Sequence, residues 1–118
     1  MSRFSVVMTM LAALLLPAAA QAHATLDHAS PLVGSTVVSA PKEVVLWFTE
    51  NLEPAFSSIE VHNAQGIAVQ SGKAQVSGGT QLHVPLKSLP PGTYTVNWRV
   101  LSVDTHRTQG DFTFTVGK

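Results

Sequence analysis

An all-β domain, built as a sandwich or barrel, is what this sequence predicts, and three observations carry the prediction. Beyond residue 22 apolar and polar residues alternate in several short runs. Turn chemistry separates the runs at roughly 8–12-residue spacing. No segment there shows the helical period of an amphipathic helix.

The runs follow in order. Val44, Leu46 and Phe48 alternate with Val45, Trp47 and Thr49, so Val44–Thr49 reads as a strand buried on one face and partly covered on the other. Ser58–Asn63 is the next, with Ile59 and Val61 against Glu60 and His62. Thr80–Leu86 sets Leu82, Val84 and Leu86 against His83, Pro85 and Lys87. Pro85 has no N–H to donate, which predicts an edge strand or a bulge there. The clearest run is Tyr94–Val103, with Tyr94, Val96, Trp98 and Val100 on one face. Asp111–Val116 closes the series through Phe112, Phe114 and Val116. Leu46 or Trp47, Val96, Trp98 and Phe114 are the expected core. Ser30-Pro31, Ala40-Pro41, Gln65-Gly66, Ser77-Gly78-Gly79 and Pro90-Pro91-Gly92 supply the turns. With no repeat or linker, residues 23–118 read as one domain.

Residues 1–22 follow a different logic. Arg3 gives a positive start, Val6–Leu16 is uncharged and apolar, Pro17 breaks the run, and Ala20-Gln21-Ala22 is an A-x-A cleavage site. That is a secretory signal peptide. Its apolar run is far short of the ~20 residues that span a bilayer, so cleavage rather than anchoring is expected. One arginine before the run does not make a twin-arginine signal, which leaves the general export route.

Cleavage after Ala22 leaves 96 of the 118 residues, beginning at His23. Six Lys/Arg then face seven Asp/Glu, because Arg3 departs with the leader. This balance offers no electrostatic reason to bind nucleic acid or an anionic membrane. There is no cysteine, and Met1, Met8 and Met10 all lie in the leader. Any metal must therefore be held by nitrogen and oxygen, which suits Cu(II), Ni(II) or Zn(II) better than Cu(I).

Two elements carry metal chemistry. Processing makes His23 N-terminal, so its α-amine and its own Nδ1 can close a six-membered chelate ring, which an internal histidine cannot do. The second element is Asp104-Thr105-His106, after the strongest strand. In extended chain, residues two apart share a side, ~6.5 Å apart, and a carboxylate and an imidazole so placed can converge on one ion. Two nitrogens of His23, one of His106 and an Asp104 oxygen make the tetragonal N3O set that Cu(II) favours.

These residues resemble a known family. His23-Ala24-Thr25-Leu26-Asp27-His28-Ala29-Ser30-Pro31 is similar to the opening of copper-resistance C (CopC-like) proteins. Ala40 to Leu52, and Pro91 to His106 followed by Gly110, Phe112, Phe114 and Val116, are similar in the same order. The resemblance implies an immunoglobulin-like Greek-key β-sandwich, a periplasmic location and a Cu(II) site formed by His23, Asp104 and His106. Some members add a carboxylate at the position of Glu50. It also implies a role in sequestering copper or delivering it to a partner, an inner-membrane transporter of the CopD type among the candidates. Some members carry a separate methionine-rich Cu(I) site; the corresponding segment here, Val61 to Val76, has no methionine.

Other residues are weaker candidates. His28 is close enough in sequence to assist His23, whereas His62 and His83 point outward on separate strands. Arg99 and Arg107 are placed to orient Asp104 or Glu50. Two other functions stay open. A copper-dependent oxidative enzyme also uses an N-terminal histidine chelate, but it needs open coordination positions and a broad substrate surface. A metal-free adhesion or scaffold sandwich predicts that His23, Asp104 and His106 are scattered in space. The expectation is a binding protein and not an enzyme: no G-x-S-x-G, H-E-x-x-H or phosphate-cradling loop occurs.

Overall fold

Alternating apolar residues become two facing sheets. The computed structural model describes residues 24–118; His23 and the expected leader lie outside the described residues. The strands are β1 (Leu26–Ser30), β2 (Thr36–Val37), β3 (Glu43–Phe48), β4 (Ser58–His62), β5 (Gln75–Ser77), β6 (Gln81–Pro85), β7 (Gly92–Leu101) and β8 (Arg107–Val116), with a 3-10 turn at Pro54–Phe56.

One sheet has the order β1-β3-β6-β5, the other β2-β8-β7-β4. Neighbours are antiparallel except β2 and β8, which run parallel. The chain crosses between sheets from β3 to β4, back to β5, and again from β6 to β7. That is the Greek-key order of an immunoglobulin-like sandwich. A further mark of that class is the tyrosine near the start of β7: Tyr94 donates its hydroxyl to the Pro90 carbonyl at 2.5 Å.

The inward faces are the predicted ones. Val44, Leu46, Phe48, Leu82 and Val84 meet Ile59, Val61, Val96, Trp98, Val100, Phe112 and Phe114, all buried. Each fully buried Val, Leu or Phe side chain contributes roughly 1.5–3 kcal/mol against leaving it in water. Of the two alternatives in β3, Leu46 is the core residue; Trp47 is half-buried on the outer face.

Three strands escaped the sequence reading, and each has a physical reason. β2 and β5 are two and three residues long, too short for alternation to register. β1 buries only Ala29 of its five residues, and its register shifts between Leu26 and His28. The expectation for Pro85 needs correction. Its strand β6 lies inside the sheet between β3 and β5. Pro85 is the last residue of β6, beyond the final β5 pair at Gln75 and His83. Its missing donor therefore falls where that ladder has ended.

Trp98 packs edge-on against Phe48, with ring centroids 5.1 Å apart at 71°. Its indole lies across Gly110, where a Cβ would come within 2.6 Å of Cζ2. The ring is rigid and buried, so it cannot step aside. Gly110→Ala is expected to cost roughly 1–2 kcal/mol of stability by overpacking. Chemical denaturation should show a lower midpoint at unchanged slope.

One end of the sandwich is laced together by backbone hydrogen bonds. The Thr49 N–H donates to the Thr25 carbonyl at 3.0 Å, and that of Leu52 to Gly79 at 2.9 Å. Those of Glu53 and Val103 reach Leu101 and Asn51 at 2.8 and 3.0 Å. Gly79, at φ +81°, lets Asn51 come so close that a Cβ would sit 2.5 Å from its Oδ1. The segment just before β1, the segment after β3, the β5–β6 turn and the β7–β8 loop thus form one rim.

Candidate metal centre

The β7–β8 loop is the centre of this rim. β7 and β8 pair as far as Leu101 and Arg107, so only Ser102 to His106 make the connection. Thr105 stands at φ 74°, a conformation unusual for a residue with a branched side chain. Its N–H is tied to the Ser102 carbonyl at 2.8 Å, and the Ser102 N–H to the His106 carbonyl at 2.9 Å.

Asp104 and His106 are therefore brought together by a tight loop, not by the extended geometry expected from the sequence. In a strand they would stand two residues apart on one face. Here the turn draws Asp104 Oδ1 to 3.3 Å from His106 Nδ1. The side chains keep 38% and 43% of their surface exposed, while His106 Nδ1 itself is buried.

Ser102 lies beneath the pair, fully buried. Its hydroxyl donates to Asp104 Oδ1 and accepts from the His106 N–H at 3.3 Å. The Ser102 hydroxyl, first of all, holds the Asp104 carboxyl below its usual range. Partial loss of water works the other way, and the His106 side chain and backbone add to the lowering. Sequence reading passed over Ser102 as a site residue. The signal was available: it continues the inward face of Tyr94, Val96, Trp98 and Val100, and a buried hydroxyl requires hydrogen-bond partners.

The other candidates separate clearly. Glu50 is half-buried just after β3. Its neighbour Asn51 holds Val103. Arg99 and Arg107 do not orient the carboxylates: every ion pair among the described residues involves a histidine. His28 stacks on Trp47 at 4.3 Å and 9°, with Nδ1 2.6 Å from Asp27 Oδ2, on the outer face of the first sheet. His62 and His83 lie apart on β4 and β6, in different sheets. No group of three or more His, Cys, Asp or Glu among the described residues is placed to hold a metal.

The chain enters the fold beside this pair. Ala24 is completely buried, and its carbonyl accepts from Thr108 Oγ1 at 2.7 Å. Thr108 is two residues beyond His106. The Thr25 N–H is fastened to Thr49 Oγ1 at 2.9 Å.

Comparison with known proteins agrees with this architecture. The CopC domain matches residues 26–117. "Protein YobA" of Escherichia coli (strain K12) is 42% identical over 98 residues, covering 80% of this chain and 79% of that one. "Copper resistance protein C" of Pseudomonas syringae pv. tomato is 36% identical over 129 residues, covering 98% of each. The crystal structure of CopC from Methylosinus trichosporium OB3b has a TM-score of 0.76 at 36% identity, over 80% of this chain and 94% of that one. PcoC, a methionine-rich copper resistance protein from Escherichia coli, has a TM-score of 0.73 at 34% identity, over 80% and 99% of the two chains. With the domain matched over most of its length, this chain belongs to the CopC family.

Proposed function

We propose that this protein is an exported copper carrier that binds Cu(II) through His23, Asp104 and His106. Copper binding in the service of copper homeostasis follows from the family and from relatives described as copper resistance proteins. A relative described as a copper transport protein points the same way, although this chain spans only 20% of it. The observation that carries the site is the meeting of Asp104 and His106 beside the anchored Ala24. The described residues offer a pair of donors, and His23, one peptide bond before Ala24, supplies the rest. Glu50 adds a carboxylate from the neighbouring segment.

The leader of residues 1–22 directs the chain to the periplasm, where it holds copper or passes it to a membrane transporter of the CopD type. The reading is of a carrier and not of a catalyst.

Donor chemistry supports the oxidation state. No methionine or cysteine occurs after residue 22, whereas a methionine-rich relative has soft sulfur to offer. Nitrogen and carboxylate oxygen favour Cu(II), which also leads the divalent series ahead of Zn(II). Competition titration of protein beginning at His23 should show tight Cu(II) binding, weaker Zn(II) binding and still weaker Cu(I) binding under anaerobic reductant. Cu(I) retention equal to or tighter than Cu(II) would overturn the assignment.

A further inference from the structure

We infer that Ser102 is the positioning residue of the copper site, presetting Asp104 and His106 through one buried oxygen before any metal arrives. This rests on the copper reading above and adds to it a residue that does not touch the metal.

Ser102 Oγ has three neighbours: Asp104 Oδ1, the His106 N–H and, at 3.3 Å, the His106 carbonyl. A hydroxyl has one hydrogen to give and two lone pairs to receive with. The carboxylate is the charged acceptor, so the hydrogen goes there, where the bond is stronger. The His106 N–H then occupies a lone pair. The His106 carbonyl already accepts from the Ser102 N–H at 2.9 Å and has no need of the hydroxyl. One atom thereby fixes the carboxylate of Asp104 and the backbone of His106 together.

Burial makes the arrangement stiff. Ser102 has no exposed surface, and it bridges Leu52 on the adjoining segment. Water cannot substitute for it. Thr105 contributes the other half: its φ of 74° turns the chain so that its two neighbours meet, and such backbone persists only where surrounding bonds over-determine it. The hydrogen bond to Oδ1 holds the carboxylate in place, while lone pairs on both of its oxygens stay open to the metal.

Ser102→Ala removes this oxygen and leaves both ligands in place. The variant is expected to lose about tenfold in Cu(II) affinity, as outer partners of metal ligands do. Its Cu(II) absorption band and EPR signal should also move, which a remote packing defect would not cause. A double-mutant cycle separates positioning from structure: in an Asp104→Ala background, Ser102→Ala should cost much less than alone. Additive losses would overturn the proposal. So would wild-type affinity and spectra in the single variant.

A metal-free measurement distinguishes this failure from failure of the copper reading. Amide exchange at His106 in the apo-protein should be slow in wild type and faster in Ser102→Ala. Protein that binds no Cu(II) yet shows this difference would end the copper reading and keep the positioning role. If the alanine variant does not fold, unprotected exchange at His106 in the wild-type apo-protein is the overturning result.

Discussion

Replacing His106 with alanine is expected to weaken Cu(II) binding at least about a hundredfold, ~2.7 kcal/mol. Outer partners of metal ligands already cost up to that factor when removed, and His106 is proposed to touch the metal. The fold should survive, because the imidazole is 43% exposed and sits on a loop. Asp104→Asn should behave alike, since it keeps the shape and removes the charge. The competition titration would be read by the Cu(II) absorption band, with thermal unfolding of the apo-protein as control. Unchanged affinity in both variants would remove the loop from the site.

The pH dependence follows with a definite sign. In the proposed site copper must displace protons from its nitrogen donors, the terminal amine among them with a reference value of ~7.8, so affinity should fall as pH drops from about 7 to 5. Asp104 does not cause that fall. The Ser102 hydroxyl holds its carboxyl below the usual range, so it stays ionised throughout this interval. A carboxyl lowered on folding stabilises the native state above its unfolded value of ~3.9, and this stabilisation is lost as pH falls through the folded value. Loss of copper and acid weakening of the apo-fold should therefore appear as separate events, copper first.

A single extra residue ahead of His23 is expected to be as damaging as losing His106, at least about a hundredfold in Cu(II) affinity. The change is chemical and local. An amine becomes an amide, which no longer offers a lone pair, and the chelate with Nδ1 is gone although every side chain remains. The anchor of Ala24 on Thr108 leaves the fold with no reason to change. Protein begun at His23 and protein carrying one added residue should thus have equal unfolding midpoints and very different copper titrations. Equal titrations would take the terminal amine out of the site.

Much of the fold was legible in the residues. The strands now called β3, β4, β6, β7 and β8 all announced themselves, because each buries one face and so alternates. β1, β2 and β5 did not, since edge positions and short lengths demand little of side-chain polarity. Pro85 misled because a single strand cannot reveal where its neighbour's ladder ends.

The site divides in the same way. Which donors the candidate site can offer was legible in composition: nitrogen and oxygen with no sulfur after residue 22, and a histidine and an aspartate two residues apart. How they meet was not. The 3.3 Å approach of Asp104 to His106 depends on a five-residue connection between paired strands and on one residue at φ 74°. Backbone turns of that kind arise from contacts with distant segments, here Asn51 and Leu52, and these have no signature in the local sequence. The supporting oxygen of Ser102 is of the same origin. A serine becomes a structural partner only when folding excludes the water that would otherwise satisfy it.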